Sequence, residues 1–218
     1  MNQEKMKAKG IFLDLDGTLV DSRQAYIEAA RIAFESLGKE LPDENVALEI
    51  PRRLEKSQPI SDIINVDVQR FLAAYFHGFY LVAPQKTRLF PKVSITLRLL
   101  ARKAKLALVT MRYVPKLDIR KELDYFGISE HFSYVVTALD TVKPKPSPEA
   151  LLECVKALDV DVCDCIIAGD SVNDVRAGKA AGVRTVALLS GIFWCEELAK
   201  ESPDLILADV TELPNYVE

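Results

Sequence analysis

Short, unbroken apolar runs recur along the chain at residues 11–15, 106–110, 134–137, 165–168, 185–189 and 205–207. Runs of this kind, without alternation, suit strands buried on both faces, as in a parallel sheet. Between them, at 93–103, 117–126, 148–158 and 174–181, apolar residues follow the period of a helix with one buried stripe. Strand and helix in alternation predict an α/β fold, a doubly wound parallel sheet covered by helices on both sides. Ser147 ahead of Pro148 carries the chemistry of a helix start, and Gly182 after Ala181 suits a left-handed stop.

One stretch breaks the alternation. From about Ser22 to about Gln85 there is no buried strand pattern, and the spacing predicts helices instead. Tyr26, Ala30, Ala33, Phe34 and Leu37 mark one helical face, which Ser22 caps and Gly38 ends; Phe71, Leu72, Tyr75, Phe76 and Phe79 mark another. The expected organisation is a core domain of residues 1–21 and 86–218 with an all-helical domain, 22–85, inserted after the first strand. Hinges are expected near Asp21 and between Pro84 and Pro91.

Composition narrows the partners. Hydrophobic residues make up 49% and charged residues 28% of 218, the balance of a globular chain with a sizeable core. A net charge of -4 offers no basic surface for nucleic acid or an anionic membrane. Residues 1–10 are lysine-rich but lack the apolar stretch of a signal peptide, and no segment approaches the length of a membrane span, so a cytoplasmic location is expected. Cysteines 154, 163, 165 and 195 have no zinc-site spacing, and His77 and His131 lie far from them; reduced, structural thiols are expected.

The densest chemical signal is Ile11-Phe12-Leu13-Asp14-Leu15-Asp16-Gly17-Thr18-Leu19, a buried strand that ends in two acids, a glycine and a threonine. On an extended chain a spacing of two points both carboxylates to one side, and Gly17 permits a tight turn. Such crowding calls for a cation, and a hard, oxygen-seeking ion such as Mg²⁺ meets it. A strand end followed by an ordinary turn would explain the same residues in isolation.

Gly169-Asp170-Ser171-Val172-Asn173-Asp174 repeats the theme at a second strand end, with Asp174 one helical turn after Asp170. In Lys143-Pro144-Lys145-Pro146 the prolines stiffen the backbone and so can aim a lysine; a solvated basic turn is the simpler reading of that segment alone. Thr110, at the end of its strand, offers a hydroxyl and a backbone N–H to an anion. Together these residues gather at the carboxyl ends of parallel strands, where open α/β sheets place their sites, and they form the set that phosphoryl transfer needs.

On these motifs the sequence resembles the haloacid dehalogenase superfamily, with its Rossmann-like core. Within it, the match is to phosphatases with a helical cap inserted after the first motif, such as phosphoglycolate phosphatase. The first motif matches at Asp14 to Thr18, the fourth at Gly169, Asp170 and Asp174, and the third at Lys143 with its following proline; the second is partial, with Thr110 followed by Met111 and Arg112 where asparagine often follows. The resemblance implies an Mg²⁺-dependent phosphatase of a small phosphate ester, phosphoglycolate-like or a sugar phosphate. Asp14 would be the nucleophile that forms an aspartyl-phosphate, and Asp16 the acid and base. Asp14, Asp170 and the backbone carbonyl of Asp16 would bind the metal, with Asp174, Gly17 and Thr18 supporting. Thr110, Lys143 and a backbone N–H at Met111 would hold the phosphate.

Asp16 speaks against dehalogenation, because dehalogenases of the superfamily lack an acid there. A β-phosphoglucomutase-like mutase shares all the motifs and stays as the alternative, with a non-catalytic binding module behind it. Substrate choice is expected in the cap, where Arg52, Arg53 and Lys56 form a basic cluster that either receives a carboxylate or is a solvated face. The sequence leaves monomer or homodimer open.

Overall fold

The computed structural model describes residues 5–218. The chain opens with β1 (Gly10–Leu13), passes through β2 (Val20–Asp21) into α1 (Arg23–Ser36), α2 (Glu44–Glu55), α3 (Ser61–Ile64) and α4 (Val68–Lys86), and returns through β3 (Arg88–Leu89). Strands and helices then alternate: α5 (Val93–Ala101), β4 (Lys105–Val109), α6 (Lys116–Tyr125), β5 (Phe132–Val136), α7 (Glu149–Leu158), β6 (Cys165–Gly169), α8 (Val172–Ala181), β7 (Arg184–Leu188), α9 (Cys195–Lys200) and β8 (Leu205–Leu207). Two compact units result, one of Val20–Arg88 and one made by the chain on either side of it. The inserted unit thus takes in β2 and Arg88 of β3 as well as the helices. Among the described residues no helix is long and apolar enough to cross a membrane.

The outer chain segments build a six-stranded sheet in the order β5-β4-β1-β6-β7-β8, with every pairing parallel. The chain winds from β1 through β4 to β5, then crosses back to β6 and winds the other way, so the switch of direction falls beside β1. Alternation sends Phe12, Ala107, Val109 and Ile167 to one face, where they pack with Ala150, Leu151, Cys154 and Leu158 of α7 and Ala177 of α8. Ile11, Leu13, Leu106, Leu108 and Ile166 lie on the other face and are equally buried. Burying each such side chain contributes about 1.5–3 kcal/mol.

The helical unit has its own core. Phe34 of α1 meets Phe71 of α4 edge-on at 5.0 Å, and Tyr26 stacks on Phe79 at 5.3 Å. Phe71, Tyr75 and Phe79 are buried, whereas Phe76 is 46% exposed and turns away from that core. Helix α2 buries Ala47 and Ile50 and runs through Pro51, which is also buried. Arg52 and Arg53 are not free to receive an anion: both pair with Glu49, and Arg53 also binds Asp62 at 2.7 Å.

Candidate active site

Three residues of the candidate site stand just beyond the carboxyl ends of strands in the sheet-bearing unit. Asp14 follows β1, Thr110 follows β4 and Asp170 follows β6, and β1 is paired to both neighbours, so strand register alone brings the three together. Asp174 joins them from the first turn of α8. There Ser171 accepts the N–H groups of Asn173 and Asp174, and Asp174 Oδ2 accepts the N–H of Ser171, a reciprocal cap. Asp14, Asp170 and Asp174 are all buried, and each offers an oxygen within 4.8 Å of the others'.

Holding Asp170 needs space and a donor. Thr18 donates its hydroxyl to Asp170 Oδ1 at 2.9 Å. Gly17 turns the chain with φ +79, and a Cβ there would lie 2.3 Å from Asp170 Oδ2. A Cβ at Gly191, in the loop after β7, would lie 1.6 Å from the same oxygen. Ser190 ties that loop to the first by donating to the Gly17 carbonyl at 2.7 Å.

The lysine of the site is Lys145, which corrects the expectation of Lys143. Lys143 is exposed, and its backbone N–H donates to Glu149 at 3.1 Å. Lys145 is buried, and its ammonium donates to Asp14 Oδ1 at 2.8 Å, to Asp174 Oδ1 at 2.6 Å and to the Val109 carbonyl at 3.1 Å. An ammonium has three donors, and all three are used. Burial pushes the Asp14 carboxyl up to about 7; Lys145 pulls against that and Asp174 adds to it. The two carboxylates in turn raise Lys145 well above an ordinary lysine, so it keeps its charge. One lysine among three buried carboxylates leaves negative charge in excess, and an all-oxygen donor set of this kind suits a hard divalent cation.

Thr110 is buried, but its backbone N–H is spent in the sheet on the Val136 carbonyl at 3.0 Å, which corrects the expectation that it would serve an anion. Its hydroxyl oxygen accepts the N–H of Arg112 at 3.2 Å, and the hydroxyl proton stays available for donation. Met111 is half-buried in the loop after β4. Asp16 lies apart from the three-carboxylate cluster: both its oxygens face Arg112, at 2.6 and 2.7 Å. Lys145, Arg112 and Gly191 were not among the candidates of the sequence. The second Lys-Pro step was a signal for Lys145, and Arg112 stood two residues after Thr110.

Residues 11–188 match a family model described as haloacid dehalogenase-like hydrolase. The chain is 32% identical to the phosphoglycolate phosphatase of Escherichia coli (strain K12) over 232 residues, spanning 94% of this chain and 90% of that protein. It is 33% identical to the phosphoglycolate phosphatase of Yersinia pestis, spanning 96% and 93%. A solved haloacid dehalogenase-like hydrolase from Bacteroides fragilis shares the fold with a TM-score of 0.80 at 23% identity, over 95% of this chain and 100% of that one.

Proposed function

The chain belongs to the haloacid dehalogenase-like hydrolases, and from that premise we propose that it hydrolyses a small phosphorylated metabolite, of the phosphoglycolate or sugar-phosphate kind, through a phosphoryl group carried on Asp14. The observation that carries this reading is the buried Lys145 set between Asp14 and Asp174, with Asp170 beside them, at the mouth of the sheet.

Asp14 and Asp170, with the backbone carbonyl of Asp16, would hold Mg²⁺, and Asp174 would stand behind them. When bound, the ion supplies positive charge against the phosphoryl oxygens. Lys145 fixes Asp14 by Oδ1, which leaves Oδ2 to attack phosphorus. As the new O–P bond forms, the ester O–P bond breaks, and Asp16 gives the departing oxygen its proton. Asp16 then takes a proton from water as that water attacks phosphorus, which releases phosphate and restores Asp14. The Thr110 hydroxyl and the backbone N–H of Met111 would donate to the phosphoryl oxygens.

The choice of ester is supported by the relatives named phosphoglycolate phosphatase. The Arg52–Arg53 pair adds nothing to it, because Glu49 and Asp62 already neutralise both. Hydrolysis of p-nitrophenyl phosphate with Mg²⁺ and with EDTA tests the reading, followed by a screen of phosphoglycolate and sugar phosphates. Turnover that needs the metal and vanishes in Asp14→Asn is expected. Turnover that survives Asp14→Asn would refute the nucleophile, and isomerisation of a sugar phosphate faster than phosphate release would replace hydrolysis with the mutase reaction.

A further inference from the structure

Asp16 has a task that depends on aim, yet it lies three residues beyond the end of β1, just ahead of the turn at residues 17–19. What fixes it is Arg112. Its Nε donates to Asp16 Oδ2 at 2.7 Å and its Nη2 to Oδ1 at 2.6 Å, a side-on, two-point contact that sets both the place and the plane of the carboxylate. Arg112 is itself held from behind: Nη1 donates to Glu122 of α6 at 2.5 Å, and its backbone N–H and carbonyl bond to Thr110 Oγ1 and the Ala138 N–H. Exposure of all three side chains is low, 6% for Arg112, 13% for Asp16 and 12% for Glu122.

We propose that Arg112, anchored by Glu122, is a positioning residue that orients Asp16 toward the oxygen of the departing alcohol. This rests on the phosphatase reading above and adds the line from α6 through Arg112 to the acid. Arg112 touches neither substrate nor phosphate in this role. A lysine cannot replace it, because a single ammonium gives no two-point contact.

The signature of a misaimed acid is selectivity between leaving groups. p-Nitrophenolate departs with little help from a proton, whereas an alkoxide needs one. The experiment compares kcat/KM, which reports the step that expels the alcohol, for p-nitrophenyl phosphate and for glycerol 2-phosphate with Mg²⁺ present. Wild type, Arg112→Lys, Arg112→Gln, Glu122→Gln and Asp16→Asn are assayed, each checked for its fold by circular dichroism. The three Arg112 and Glu122 variants should lose at least about tenfold more on the alkyl ester than on the aryl ester, in the same sense as Asp16→Asn. Adding Arg112→Gln to Asp16→Asn should cost little more than Asp16→Asn alone. Equal losses on both esters in the Arg112 and Glu122 variants, with a selective loss in Asp16→Asn, would overturn this inference and leave the phosphatase reading standing. Wild type inert toward both esters would overturn the two together. Glu122→Gln and Arg112→Lys, the mildest changes, still decide the matter if Arg112→Gln does not fold.

Discussion

Replacing Lys145 by methionine keeps much of the side chain's bulk and removes a charge that is 2% exposed and bonded to three acceptors. Two carboxylates lose their buried cation, and breaking a buried ion pair from one side costs about 3–5 kcal/mol. For a chain of this size each kcal/mol lowers Tm by about 2–4 °C, so a fall of roughly 10 °C is expected at pH 8 without metal. The penalty should depend on pH in a definite direction. Burial already lifts Asp14 to about 7 against the pull of Lys145; without the lysine it rises further. A carboxyl whose native pKa lies above its unfolded value binds its proton more tightly when folded. Such a native state loses ground as pH rises from about 4 through the native pKa. The difference between wild type and Lys145→Met should therefore be smaller at pH 5, where Asp14 is protonated and Asp174 alone has lost its cation, than at pH 8. Urea unfolding at the two pH values measures it. Lys143→Met, on an exposed residue, should stay within about 0.5 kcal/mol of wild type at both. A Lys145→Met deficit under about 1 kcal/mol at pH 8, or one equal at both pH values, would refute the account.

In Gly191→Ala the new methyl would begin 1.6 Å from Asp170 Oδ2 and must displace that carboxylate. Mg²⁺ should then no longer raise Tm, and phosphatase activity should fall by about a hundredfold or more, as for a mispositioned catalytic group. Gly38→Ala, where a Cβ meets nothing within 4 Å, should cost only the roughly 1–2 kcal/mol of a left-handed alanine and leave the Mg²⁺ response intact. Of the four free cysteines, exposed Cys163 and Cys195 should react promptly with a disulfide reagent at pH 8. Cys154 and Cys165 should react only on unfolding, since both are buried and burial lifts Cys165 to about 11. A third fast thiol would contradict the packing of α7 against the sheet.

The α/β alternation was legible because parallel strands, buried on both faces, leave unbroken apolar runs, and the acids at their ends were legible because a strand end places a residue by local spacing alone. Asp14 and Asp170 belong to that class. Lys145 does not: Lys-Pro occurs twice in succession, and only the path of the loop decides which lysine turns inward. Arg112 and Asp16 are 96 residues apart, and nothing local to either announces the pair. Gly191 is required by a carboxylate arriving from another loop, a demand invisible in its own neighbours.

The ammonium of Lys145 joins chain segments separated by 131, 36 and 29 residues, and the Thr18 to Asp170 bond closes 152 more. Contacts of such sequence separation carry a loop-closure cost before they return any stabilisation, so they belong to the last stages of folding. A nascent or partly collapsed chain can hold its helices and even some of its strand pairs while these acids remain far apart and solvated. Catalytic competence is thus a property of the completed sheet, and the recovery of turnover during refolding times the arrival of β6 beside β1.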